Sequence, residues 1–513
     1  MLHQRLLSDS LVASAEHDPV KTAIVAGSER LSYADFLDRS LRLAAALQER
    51  GVARGDRVAI YMPTTDAAAT AIFGTLLAGG VFVVINPETK REKLEYILND
   101  AGAAALVTDG SLARGFVGVR QEVPTLRAVL CEAPTSEGDA EDLAGAIAVS
   151  DPDPKPPGVI PLDLAALIYT SGSTGQPKGV MMTHQSMAFT AASVSEYLRL
   201  GADDRILGLL PLAFDYGLYQ LLMSVRLGAT IVLERSFAFP AQILNRVGDE
   251  QITVFPGVPT VYATLLSLHA QSAFTLESVR RVTNTAAALL PAMHEGLRAI
   301  FPNALIFAMY GLTECKRVCY LEPELLEERP ASVGKAIPGT ETILLTADGD
   351  PVAPGEVGIL HVRGPHVMAG YWRQPELTGE MLRDGPTAGE RMLCTHDWFT
   401  QDEDGFLYFV GRTDDIIKTR GEKVSPLEVE NVLVGIDGVR EAAVIGIEDE
   451  LLGQAIRAYV ALDDGADLSG RDIVAACRLK LETFMVPREI VVLDELPKTD
   501  TGKVRKKSLV ELP

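Results

Sequence analysis

Short apolar runs rich in β-branched residues recur along the first two-thirds of this chain, with stretches of helical periodicity between them. RVAIYM, ALIYTS, ATIVLE, ITVFPG and ALIFAMY are such runs, and AAATAIFGTLLA and PAMHEGLRAIF are among the stretches between them. Strands that alternate with helices imply parallel βαβ units and an α/β fold. No tandem repeat or low-complexity tract interrupts the alternation, and the Pro- and Asp-rich residues 150–161 read as a loop entering the next strand. With 513 residues, 47% of them hydrophobic, the chain can bury a large core, and its length suggests roughly three domain-sized units.

The pattern changes near residue 340. ETILLT, GILHVRG and FLYFVGR read as shorter strands separated by turns, which predicts a small β-rich unit. Beyond Asp415 the order becomes helix (SPLEVENVLVGI), strand (EAAVIGI), strand (IRAYVAL), helix (GRDIVAACRLKL) and strand (EIVVL), enough for a separate α+β domain. Residues 67–85 carry no charge and raise a membrane reading, but Gly79-Gly80 divides them. They are expected to form a buried helix, a turn and the buried strand VFVVI, with no membrane insertion.

A net charge of −22 repels phosphate backbones and argues against a nucleic-acid partner. The five cysteines show neither CxxC pairing nor zinc-type clustering with histidine, and the N-terminus lacks the apolar core of a signal peptide. A cytoplasmic setting is the expectation.

The strongest local signal is TSGSTGQPKG, residues 170–179, directly behind the apolar run 164–169. Its glycines allow a tight turn and close backbone approach to a ligand. Backbone N–H groups and the hydroxyls of Thr170, Ser171, Ser173 and Thr174 could surround phosphate oxygens, with Lys178 adding charge. The order G-x-x-x-x-G-K-[ST] is absent, so this is not a Walker A loop. The alternative, a flexible Ser/Gly linker, fits poorly behind a buried strand.

This segment resembles the phosphate loop of the adenylate-forming superfamily, which includes acyl-CoA synthetases, peptide-synthetase adenylation domains and luciferases. Further segments resemble that family's motifs in its order along nearly the whole chain. The resemblance implies a large N-terminal adenylation domain, residues 1–413, of mixed and parallel sheets wrapped by helices with a small β-rich subdomain. It also implies a smaller, mobile α+β C-terminal domain, residues 414–513, hinged at Asp414. Within Thr170, Ser171, Gly172, Ser173, Thr174 and Gly175 it implies an ATP-phosphate cradle, with Thr170 and Lys178 catalytic. Tyr310-Gly311-Leu312-Thr313-Glu314 resembles the adenine and metal motif: Tyr310 and Gly311 at the base, Thr313 at the α-phosphate, Glu314 as the Mg²⁺ ligand. Ala287 and Ala288 would line the adenine, or simply pack at a helix start. Asp397, in Cys394-Thr395-His396-Asp397, would hold the ribose, with His396 where the family has glycine. Arg412 would contact ribose or phosphate, Gly421 would border the thiol tunnel, and Lys503 would reach the reacting carboxylate. For the KVRKK tail the alternative is a solvated basic end.

The reaction this resemblance implies is ATP-dependent adenylation of an acid, then acyl transfer to a thiol. Phe214-Asp215-Tyr216 resembles the amino-acid-activating members, in which an aspartate holds the substrate ammonium. Asp215, Tyr216, Thr285 and Arg317 are therefore the candidate substrate residues. Asp215 could instead cap a helix starting at Tyr216. Arg317 could meet a second carboxylate or the substrate's own, or pair at the surface with Glu322 or Glu324. The expected substrate is an amino or β-amino acid delivered to the phosphopantetheine of a free-standing acyl carrier protein. The alternative is an amine-free fatty or aryl acid joined to coenzyme A.

Overall fold

The computed structural model describes residues 5–134, 140–171, 177–285, 289, 291–412, 415, 417–419, 422–449, 453–463, 465–481, 483–498 and 504–510, with the side chains of Ser171, Lys418, Glu422, Lys423, Gly453 and Lys507 excepted. Among these residues the strands form four sheets, of nine, eight, five and five strands.

Residues 67–85 show how sequence sets the core. Thr65 accepts the Ala68 N–H at 3.2 Å and so starts the helix Asp66–Ala78. Gly79, at φ +85°, ends it in the left-handed conformation open to glycine. The helix is apolar nearly all round and buried accordingly. Gly74 lets the helix Tyr33–Glu49 approach, since a Cβ there would stand 2.9 Å from Leu43 Cδ2. The chain then enters the strand Val81–Ile85, buried throughout and parallel to Arg57–Tyr61. A helix, a turn and a strand therefore account for the uncharged stretch. Among the described residues no helix is long and apolar enough to cross a membrane.

Parallel pairing dominates the nine-stranded sheet, where Val254–Gly257, Arg281–Asn284 and Leu305–Tyr310 lie side by side. The eight-stranded sheet is mixed: Leu164–Ser171 runs parallel to Val81–Ile85 but turns back as an antiparallel hairpin with Pro177–Thr183. The short strand Gly370–Tyr371 adds antiparallel to that hairpin's outer arm. The predicted β-rich unit is an antiparallel sheet of Glu341–Leu345, Val357–Arg363, Leu382–Asp384, Arg391–Gln401 and Leu407–Arg412.

The fourth sheet belongs to a smaller C-terminal α+β domain. Helix Pro426–Val434, strands Val439–Asp449 and Gly453–Leu462, helix Gly470–Cys477 and strand Glu489–Leu493 succeed one another in the predicted order. The hairpin of Ile417–Thr419 with Glu422–Val424 is not among the elements expected from sequence. Nor is the tail simply solvated, because a helix, Lys506–Val510, packs down there: Leu509 is fully buried and Lys506 pairs with Glu430 at 2.7 Å. One leucine anchors the turn, and one lysine finds a carboxylate on the helix Pro426–Val434.

One buried histidine gives the fold a pH dependence. His184 begins the helix His184–Tyr197, and its Nδ1 accepts the Leu7 N–H at 3.3 Å. Burial pushes its pKa down from 6.5 to about 4. The unfolded state therefore binds the extra proton first, so stability is full above pH 6.5 and is lost as pH falls toward 4. The expected loss is on the order of 3 kcal/mol from this group. Urea titrations between pH 7 and 4 should show that slope, and His184→Gln should remove its share while the buried His366, lowered likewise to about 4, keeps its own.

Candidate active site

The phosphate-loop candidates are arranged by the hairpin. Thr170 pairs with Lys178 across its two arms, so both residues sit near the closed end. Gly172, Ser173, Thr174 and Gly175 lie outside the described residues, as does the Ser171 side chain. Thr170 Oγ1 is buried and makes no hydrogen bond among the described residues. Lys178 Nζ donates to the Tyr371 hydroxyl at 2.7 Å and lies 4.1 Å from that ring's centre. Tyr371 in turn donates to Glu314 Oε1 at 2.6 Å, and Lys178 stands 3.7 Å from the same oxygen. Burial and the charge of Glu314 hold the Tyr371 phenol protonated. A cation and a carboxylate are thus bridged by one hydroxyl.

Glu314 arrives there because the chain leaves the carboxyl end of a parallel strand, where open α/β sheets place ligands. Leu305–Tyr310 ends at Tyr310, and residues 311–318 fold into a compact loop before Cys319–Tyr320. The loop closes through Val318 N–H to Tyr310 O at 2.9 Å and Lys316 N–H to Leu312 O at 2.6 Å. Gly311 is needed for this closure, since a Cβ would meet the Lys316 carbonyl oxygen at 2.2 Å. Lys316 itself takes φ +65°, a left-handed conformation unusual for a lysine. Thr313 is partly buried on the same loop.

A second cluster gathers at the β-rich sheet. The Tyr310 hydroxyl donates to Asp397 Oδ2 at 2.5 Å, and Arg412 Nε stands 3.2 Å from Asp397 Oδ1. Asp397 and Arg412 are register partners on adjacent strands. The ring of Tyr310 lies edge-on to Phe399 at 4.9 Å. His396 adopts φ +56°, so the backbone conformation that suits a glycine is present there with a histidine in it.

The candidate substrate residues meet beside the 311–318 loop. Arg317 is 5% exposed, so it is no surface residue. Glu322 and Glu324, its possible surface partners by sequence, both bind Arg199 instead. Arg317 Nη1 donates to Thr285 Oγ1 at 3.0 Å, and its guanidinium lies 5.1 Å from the Tyr216 ring centre. Tyr216 donates to the Thr283 carbonyl at 2.7 Å. The helix Asp215–Leu227 starts one residue earlier than the capping alternative required: Phe214 is the cap position, and no side chain caps the helix. Asp215 therefore has no capping role. Lys316 is 2% exposed, and its Nζ has no hydrogen-bond partner among the described residues. Burial lowers its pKa, and the charge of Asp215 is the largest influence opposing this.

Ala287, Ala288, Asp414, Gly421 and Lys503 lie outside the described residues. Tyr371 is a site residue that sequence reasoning misses. The only signal it offers is an aromatic in the dipeptide Tyr371-Trp372 after Gly370, and two-residue strands have no periodicity to read.

Comparison with known proteins agrees with this geometry. Residues 11–372 match the AMP-binding enzyme family and residues 428–503 its C-terminal domain. A long-chain-fatty-acid–CoA ligase of Bacillus subtilis is 31% identical, covering 99% of this chain and 95% of its own length. A feruloyl-CoA synthase of an Amycolatopsis species is 34% identical, covering 96% of each. ATP-bound MatB from Rhodopseudomonas palustris superposes with a TM-score of 0.90 at 29% identity, covering 99% of this chain and 98% of its own. The anthranilate CoA ligase AuaEII bound to anthranoyl-AMP gives 0.91 at 27% identity, covering 99% and 96%. On this sequence coverage and this fold, the chain belongs to the AMP-binding enzyme family and is an AMP-forming ligase.

Proposed function

We propose that this chain activates an amine-free carboxylic acid with ATP and Mg²⁺ and passes the acyl group to coenzyme A. The observation that carries this is the bridge Lys178–Tyr371–Glu314, with the Thr170 hydroxyl, unpartnered among the described residues, on the same hairpin as Lys178. A buried hydroxyl without a partner is costly unless a ligand supplies one. A hard divalent ion is held through one carboxylate plus substrate phosphates, which is what Glu314 next to Lys178 offers. The residues present therefore fit a nucleotide triphosphate with its metal. When bound, Mg²⁺ supplies charge neutralisation at the phosphates.

The acid is already ionised at neutral pH, so no general base is required of the protein. Its oxygen attacks the α-phosphorus and pyrophosphate departs. Lys178, Thr170 and Thr313 offer charge and hydrogen bonds where negative charge gathers. Lys503 is assigned to the same oxygens from the C-terminal domain. Asp397 and Arg412, already paired, would receive the ribose, with Tyr310 fixing the carboxylate and the base resting near its ring. In the second half-reaction the thiol of coenzyme A attacks the acyl-adenylate and AMP leaves. Withdrawal of Lys503 by rotation about Asp414 would clear that path.

Two points favour an amine-free acid and coenzyme A over an amino acid and a carrier protein. A substrate ammonium beside Asp215 would also meet the buried cations Lys316 and Arg317, which repel it. The Bacillus and Amycolatopsis relatives join their acids to coenzyme A, as their names state. ATP–pyrophosphate exchange over α-amino, β-amino, fatty and aryl acids, with AMP release measured with and without coenzyme A, tests this. Preference for amino acids, lost in Asp215→Ala, would restore the ammonium reading. Coenzyme A failing to raise AMP release would point to a carrier.

The bridging hydroxyl yields a separate expectation. Tyr371→Phe removes the group that orients both Lys178 and Glu314. AMP formation should fall by roughly ten- to hundredfold, as expected for one positioning hydrogen bond. Thermal unfolding should move little by comparison, which separates a site effect from a folding defect.

A further inference from the structure

We infer that the acid carries a second carboxylate, received by Arg317 together with Lys316 on the 311–318 loop. This rests on the ligase reading and specifies its substrate class.

Two adjacent cations, 2% and 5% exposed, lie in one loop. Among the described residues both Lys316 Nζ and Arg317 Nε lack hydrogen-bond partners. Among the described residues the groups found against Arg317 are neutral: the Thr285 hydroxyl, the Lys316 carbonyl, the face of Tyr216 and the Tyr197 phenol. The two carboxylates that act on Lys316 are Asp215 and Glu314, and Glu314 is already engaged by Tyr371 and Lys178. Leaving a buried guanidinium without an anion is strongly unfavourable, and such groups are kept where a partner completes them. With Nη1 held by Thr285, the open Nε presents one arm of the planar fork that matches a carboxylate.

Position decides which carboxylate this is. The groups assigned to phosphates and to the reacting acid, Thr170, Lys178 and Glu314, cluster at the hairpin and Tyr371. Arg317 instead touches Thr285 and the helix that begins at Asp215, and it lies past Glu314 on the return path of the loop. An anion there is held at the far end of the acyl group. The product is an acyl-CoA with a free distal carboxylate.

The test measures kcat/KM for AMP release by the full chain with ATP, Mg²⁺ and coenzyme A. The acids are α,ω-dicarboxylic acids of graded length, aryl dicarboxylic acids, and the monomethyl ester of each. Fatty, aryl and amino monoacids are run beside them. The ester keeps length and removes the distal charge. The preferred diacid should exceed its ester by roughly a hundredfold or more, because the ester leaves the buried cations unpaired. Arg317→Met should collapse that ratio toward one, and Arg317→Lys should recover part of it. Lys316→Met reads the same ratio should the arginine variant fail to fold. A wild-type ratio near one, a monoacid as best substrate, or Arg317→Met lowering diacid and ester equally would overturn the inference. Absence of pyrophosphate exchange with every acid would instead overturn the ligase reading itself.

Discussion

Lys503→Ala is expected to lower AMP formation by roughly a thousandfold while leaving thioester formation from a supplied acyl-adenylate within about threefold of the wild type. The reasoning runs from charge. An ionised acid approaching an α-phosphate brings two anions together, and the charge peaks as pyrophosphate begins to leave. A lysine directed at those oxygens is worth most at that moment. In thioester formation a neutral or thiolate sulfur attacks a carbonyl that is already activated, and AMP needs no such help to depart. The first half-reaction is read by ATP–pyrophosphate exchange, the second by transfer from synthetic acyl-adenylate to coenzyme A. Equal loss in both would remove Lys503 from its assigned place. It would then point to a role in holding AMP or the C-terminal domain.

The fold is largely legible in the sequence because strands and helices advertise themselves through different periods. The run of five elements after Asp415 needs only period and turn residues, and it appears in that order in the structure. Strand direction is not legible. The hairpin of Leu164–Ser171 with Pro177–Thr183 is antiparallel inside a sheet that the alternation predicts to be parallel, and an apolar run looks alike in either direction. The site divides along a similar line. Segments that leave the carboxyl ends of strands can be found, because Gly, Thr and Glu in fixed order have few structural uses. Tyr371 cannot, as it enters the site from a two-residue strand 57 positions beyond Glu314.

Burial of charge is the other blind spot. For Arg317 the sequence leaves open a substrate role or a surface ion pair, since lysine and arginine are rarely buried. Only the folded loop, closed over Gly311 and turned at Lys316, shows that Lys316 and Arg317 are sealed in. Asp215 shows the converse. In isolation it looks like an ammonium ligand or a helix cap; the folded helix offers no capping bond there, and the charge of Asp215 acts on the buried Lys316.

Glu314→Gln should reduce AMP formation by roughly a hundred- to a thousandfold, and the loss should be selective for the metal-dependent step. The substitution preserves volume, and the glutamine carbonyl can still accept the Tyr371 hydroxyl that Glu314 Oε1 accepts now at 2.6 Å. The backbone contact that pins the loop, Met368 N–H to the Glu314 carbonyl at 2.8 Å, is untouched. What disappears is one negative charge next to Lys178. That ammonium keeps part of its surface open to water, so losing its partner should change stability by about 1 kcal/mol or less. Activity and folding can therefore be separated in a single variant. If Glu314 holds the divalent ion, the Mg²⁺ concentration for half-maximal rate should rise by roughly tenfold or more, through the loss of one charged oxygen ligand. A lowered rate with an unchanged Mg²⁺ requirement would leave Glu314 only the task of orienting Lys178 through Tyr371. The ion would then have to be held by phosphate oxygens without this carboxylate.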